Sequence, residues 1–161
     1  MVEDARFEDG GERPLYLKAM DVEDLTVLSA LVQDAVVPLG EISYDASHRR
    51  FALLINRFRW EDVETAERRK RPVERVQAVL LFEDVMAARS SDVPTGDRDM
   101  ILSILALGFV PGEDGMGRVE MTLAGDGMIA LEVETLDVTL KDVTRPYVAP
   151  SKHIPTHDDR S

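Results

Sequence analysis

The chain of 161 residues carries 31 acidic and 19 basic residues, a formal net charge of −12, and no cysteine. A chain of this length fits one domain with its own hydrophobic core, and its charge speaks against general affinity for nucleic acid or anionic lipid. The lack of cysteine excludes disulfides, thiolate catalysis and cysteine-bound metals, and no apolar run approaches the roughly 20 residues that span a bilayer.

Met1 to Arg13 is polar, lacks the apolar stretch of a secretory signal and is expected to form a disordered N-terminal tail. After Pro14, Leu15, Leu17 and Ala19 alternate with Tyr16, Lys18 and Met20, the pattern of a short strand. Asp21 reads as a helix N-cap, with Glu23 and Asp24 in a first turn where carboxylates meet the positive end of the helix dipole. Leu25, Leu28, Val32, Ala35 and Val36 recur at spacings of three and four. That spacing predicts an amphipathic helix of about four turns, stopped by Pro38 and Gly40. Ile42 and Tyr44 open a strand, Asp45 to His48 turns it, and Phe51 to Trp60 runs back. Phe51, Leu53 and Ile55 share one face of this strand, and Ala52, Leu54, Phe58 and Trp60 the other. Apolar residues on both faces mark a strand that is central or covered on both sides.

Glu61 to Glu74 is charge-dense and is expected to be an exposed connection. Val76 to Phe82 is again apolar on both faces, continuing through Val85 and Met86; Ser90 to Asp99 reads as a loop and Met100 to Val110 as a strand. From Arg118 onward two alternating runs flank Gly125-Asp126-Gly127, the composition of a tight hairpin turn. Apolar residues sit on odd positions up to Val133, then on even ones at Leu136, Val138 and Leu140. A strand of period two cannot hold both sets on one face, so a bulge or sharp bend is expected at Glu134-Thr135. Residues 14–148 form the expected single domain, and 149–161, with its prolines, an extended or disordered C-terminal tail.

These elements predict an α+β fold: one N-terminal amphipathic helix packed on a strongly bent, mostly antiparallel sheet of about seven strands, or a partly closed barrel.

Charge is segregated along the chain. Arg49 to Arg75 holds nine basic and five acidic residues, leaving ten basic and twenty-six acidic for the rest. Within it Arg57 and Arg59 interleave with Phe58 and Trp60, and arginine beside aromatics can hold phosphates and stack bases. Arg49, Arg50, Asn56, Arg57, Arg59 and Trp60 are therefore the candidate ligand- or partner-binding residues. A solvated strand end and charged loop accounts for the same residues, and a basic loop docking on an acidic partner, or on a second copy, is a third reading. His153 and His157 stand four apart among prolines that argue against a helix, and His48 lies alone in a polar turn, so no metal site is expected. Glu132, Glu134, Asp137 and Asp142 fit a solvated sheet face better than an acid–base pair. No nucleophile elbow, phosphate loop or H-E-x-x-H motif is present. No catalytic residue and no cofactor is expected.

The runs LKAMDVEDLTVLSALVQDAV and RRFALLINRFRWE, with the late LAGDGMIALEVETLDVTLKDV, resemble an uncharacterised bacterial family, domain of unknown function 2948, over about Leu15 to Val148. The resemblance implies a small cytoplasmic bacterial protein and brings no catalytic residues with it. The expected function is a non-enzymatic cytoplasmic domain mediating protein–protein interaction or homodimerisation, away from membranes. Two alternatives stand beside it: binding of a small anionic ligand or nucleotide through the Arg49–Arg75 basic region, and an enzyme of unrecognised type.

Overall fold

The computed structural model describes residues 14–94 and 96–148. The two expected tails, and with them His153 and His157, lie outside the described residues. Ten strands and two short α-helices are described. In chain order they are β1 (Tyr16–Ala19), α1 (Val22–Leu31), β2 (Val36–Pro38), β3 (Ile42–Asp45), β4 (Arg50–Phe58), α2 (Val63–Arg68), β5 (Arg75–Phe82), β6 (Val85–Ser91), β7 (Ile101–Pro111), β8 (Gly117–Leu123), β9 (Met128–Val133) and β10 (Val138–Asp142). All pairings are antiparallel, in the order β1-β10-β5-β4-β2-β7-β8-β9-β6, with β3 attached to β4.

The expected α+β fold is corrected in three respects. The sheet has ten strands rather than about seven, and the molecule is mostly sheet. It does not close into a barrel, because β1 and β6 end the strand order unpaired with each other. The long N-terminal helix is absent: α1 has ten residues and stops at Leu31.

Its start is as the sequence predicts. The Asp21 carboxylate accepts a hydrogen bond of 2.8 Å from the Asp24 backbone N–H, capping a first turn that holds Glu23 and Asp24. Its end reflects local backbone chemistry. Asp34 takes a left-handed conformation with φ of 64°, which aspartate tolerates better than most residues. Pro38 then biases Val37 towards extended backbone, and Val36 and Val37 are β-branched. They form β2, which pairs with β4 at Val36↔Asn56 and with β7 over three positions. Val32 and Ala35 are nevertheless fully buried, so spacings of three and four tracked burial past the point where the helix ends.

The chain bends at Glu134 and Thr135, as the break in parity predicts, and the bend joins two separate strands. β9 pairs with β8 and β6, whereas β10 pairs with β1 and β5. The chain crosses from one part of the sheet to the other through Glu134–Asp137, and Leu136 is buried on the way. Inward-facing residues change from odd to even because two separate strands are involved. In the same way the apolar run after Val76 is two strands, broken by Asp84 at φ of 58°. The hairpin between β8 and β9 is present, with Gly125 at φ of 84° and Asp126 at 73° carrying the turn.

One face of the sheet supplies one core. Inward residues of β4, β5 and β10 join those of β7, β8 and β9 and the Leu25–Leu28 side of α1 in a single buried cluster. Among the described residues no helix is long and apolar enough to cross a membrane.

Candidate functional site

On β4 the odd residues point into the core and the even ones outward, as Phe51, Leu53 and Ile55 show. Arg57 belongs to the odd set and is 0% exposed. A buried guanidinium needs partners, since desolvation of an unpaired charge costs several kcal/mol. Asp142, at the end of β10, accepts from Arg57 Nε at 3.1 Å and from Nη2 at 3.0 Å. Glu61 accepts from Nη1 at 2.9 Å and Nη2 at 2.8 Å, and the Phe58 carbonyl accepts a further bond. Burial acts to lower the Arg57 pKa, but the bonds to Glu61 and Asp142 outweigh it and hold it above its ordinary value. Burial likewise acts to raise Glu61, and the guanidinium of Arg57, helped by Arg59, holds it below the usual carboxylate range. Both groups stay charged because each supplies the other's missing solvent.

Arg59 is also committed. Its Nη1 lies 2.5 Å from Glu74 Oε1 and 3.3 Å from Asp62 Oδ2, and Arg71 Nη2 reaches the same Asp62 oxygen at 2.7 Å. The expected exposed connection after β4 is therefore a short 3-10 turn, Trp60–Asp62, followed by α2, both held against the end of the sheet by this charge cluster. Phe58 points outward beneath Arg75, whose guanidinium carbon sits 4.6 Å from the ring centroid, and packs on Trp60 with centroids 5.4 Å apart. Trp60 donates its indole N–H to the Gln33 carbonyl at 2.8 Å.

The six candidate residues do not share one site. Arg49 bonds Glu134 at 2.6 Å and Arg50 bonds Glu83 at 3.1 Å, both near the start of β4. Arg57, Arg59 and Trp60 gather at its other end. Asn56 faces outward, where its Nδ2 donates to the Tyr147 hydroxyl at 2.6 Å. Of the nine cations between Arg49 and Arg75, only Arg68, Arg69 and Lys70 are exposed and lack both an ion pair and a ring among the described residues.

Asp142 is expected among the outward carboxylates. It lies instead on the even positions of β10 with Val138 and Leu140, and is buried. That parity is the signal that finds it. Glu61, Asp62 and Glu74 carry no such signal, because their contacts depend on how the connection folds back.

Sequence reasoning also passed over the outward face of β1, β10, β5 and β4. Register aligns Lys18, Thr139, Leu81 and Ala52 in one row, and Tyr16, Lys141, Val79 and Leu54 in the next. Leu54, Val79 and Leu81 are half-buried and form an apolar centre. Lys18 and Lys141 lie on its β1 and β10 side and Arg75 at one end of β5, and no outward position of these four strands is acidic. Lys18 lies 3.2 Å from Asp137 at the margin of the face.

A family model described as "Protein of unknown function (DUF2948)" matches residues 15–157. No curated protein and no solved structure matches the chain.

Proposed function

We propose that this chain, which belongs to the DUF2948 family, is a non-enzymatic interaction domain that docks a protein partner on the outward face of β1, β10, β5 and β4. The observation that carries the reading is an apolar centre of Leu54, Val79 and Leu81 whose four strands carry outward cations and no outward carboxylate, on a chain of net charge −12. A solvated sheet face ordinarily alternates to polar residues on its outer side, and a contiguous apolar patch with a polar rim is the pattern of a binding surface. The rim specifies the partner: an apolar surface bordered by carboxylates. A second copy laid rim on rim would oppose Lys141 and Lys18 to like charges. The setting is the bacterial cytoplasm, supported by the family resemblance and the cysteine-free sequence.

A photo-crosslinking side chain at Val79 tests this. A captured protein, once purified, should bind the wild-type chain, bind more weakly as salt shortens the Debye length below about 8 Å, and fail to bind a Val79→Glu/Leu81→Glu variant of unchanged circular dichroism. A chain that remains monomeric and gives no adduct from that position overturns the reading. For the anionic-ligand alternative, Arg57 and Arg59 already hold protein carboxylates, which leaves Arg68, Arg69 and Lys70 as the cations to examine.

A further inference from the structure

Beside the apolar centre of the outward face lies a cavity of about 260 Å³. It opens where β2 parts from β4 after their single pair, Val36↔Asn56. Val36, Leu54 and Ile101 supply apolar walls, and its polar lining consists of Glu41, Asn56 and Gln77. Among the described residues no lysine or arginine lines it. The nearby Arg98 is turned onto the Gly40 carbonyl, to which its Nη2 donates at 3.2 Å.

The state of these polar groups is unusual. Asn56 spends one N–H on the Tyr147 hydroxyl, and its Oδ1 is shut off from solvent with no partner among the described residues. A buried carbonyl without a donor is destabilising and calls for an explanation. The Gln77 side chain makes no hydrogen bond and the Glu41 carboxylate no ion pair among the described residues. The cavity thus combines apolar walls with one negative charge and a Gln77 side-chain amide that has no partner among the described residues.

We propose that this cavity binds an organic cation with N–H donors on a short apolar stem, an alkylguanidinium or alkylammonium group. The stem lies against Val36, Leu54 and Ile101, and the head donates to the Gln77 side-chain carbonyl and pairs with the Glu41 carboxylate. Such a head is carried either by a free small amine or by an arginine or lysine side chain of a protein. The site stands whether or not the outward face takes a protein partner.

Titrating the whole chain with n-butylguanidinium, while recording the side-chain amide resonances of Asn56 and Gln77, tests it. The expected result is saturable shifts at both residues, with a Kd on the order of 1 mM for so small a probe. N-butylurea, the same shape without charge, should bind at least about ten-fold more weakly, since hydrogen bonds to charged groups are the stronger ones. Valerate should not bind. Glu41→Gln, at an exposed position that leaves the fold intact, should weaken the cation several-fold and leave the urea unchanged. N-acetyl-arginine methylamide separates the sources. Binding equal to the butyl probe assigns the site to a partner's side chain, and binding of the compact probe alone assigns it to a free amine. No saturable shift, equal binding of urea or valerate, or an indifferent Glu41→Gln overturns the proposal.

Discussion

Arg57 and Asp142 stand 85 positions apart in sequence and exchange two hydrogen bonds across the inner side of β5, which separates their strands. The same Asp142 oxygen that receives Arg57 Nη2 also accepts the backbone N–H of Leu15 at 2.9 Å, just before β1 begins. One carboxylate therefore joins the end of β4, the end of β10 and the entry of the chain into the sheet. Through Glu61 the same guanidinium holds the turn that leads to α2. The cations that composition singles out are, in this cluster, internal fasteners.

Removing one member of such a pair leaves the other buried and uncompensated. Arg57→Met should lower the unfolding free energy by about 3–5 kcal/mol in a denaturant titration, a large share of the 5–15 typical of a domain. Asp142→Leu alone should be comparably damaging. The double variant should recover much of the loss, because well-packed apolar groups can replace a buried ion pair with little net change. Additive losses would mean that the two side chains act separately.

Acid should weaken the cluster on a defined side. The folded-state pKa of Glu61 is held below its unfolded value by Arg57 and Arg59. Its contribution is therefore complete above the unfolded value of about 4.3 and is lost as pH falls through the lower, folded one. Thermal melts in this acid range should show Tm falling with pH, and Glu61→Gln should flatten that fall while lowering Tm at neutral pH. An unchanged slope in Glu61→Gln would assign the acid response to other carboxylates.

Alternation made much of the sheet legible before any coordinates, because a strand with one buried face must repeat every two residues. β4, β5, β8 and β9 can be read directly from Phe51–Ile55, Val76–Phe82, Val119–Leu123 and Ile129–Val133. The inward fate of Arg57 was legible on the same grounds, since it shares parity with Ile55. Period alone could not show that Leu136 lies on a crossing between two parts of the sheet, because a change of parity reads the same for a bulge and for a new strand. Helical spacing misled at Val32 and Ala35, which are buried in a turn. The carboxylates that meet Arg59 and the cavity at Asn56 arise from contacts between distant segments and leave no local pattern.

Two glycines separate steric from conformational demands. A side chain at Gly117 would run into the Phe109 ring and the Val110 carbonyl oxygen on the neighbouring β7. Gly117→Ala should cost about 1–3 kcal/mol, as overpacking does, and a Phe109→Leu background should reduce that cost. At Gly125 there is open space, but φ is 84°. Gly125→Ala should be destabilising by about 1 kcal/mol through the backbone alone, with no dependence on neighbouring side chains. Equilibrium unfolding of the variants, alone and in the Phe109→Leu background, distinguishes the two.

Adjacent leucines on β5 test whether the outward face serves binding rather than folding. Leu80 is fully buried in the core, whereas Leu81 points outward between Thr139 and Ala52. Leu80→Ala should lose about 2–5 kcal/mol, through transfer and cavity terms together. Leu81→Lys keeps an aliphatic stem against the sheet and adds its charge where water already reaches, so its effect on stability should stay within about 1 kcal/mol. If the outward face exists to be covered, Leu81→Lys should still abolish capture from the cross-linking position at Val79. Substantial unfolding by Leu81→Lys would show instead that these outward leucines support the sheet itself, and the case for a docking surface would fall with that result.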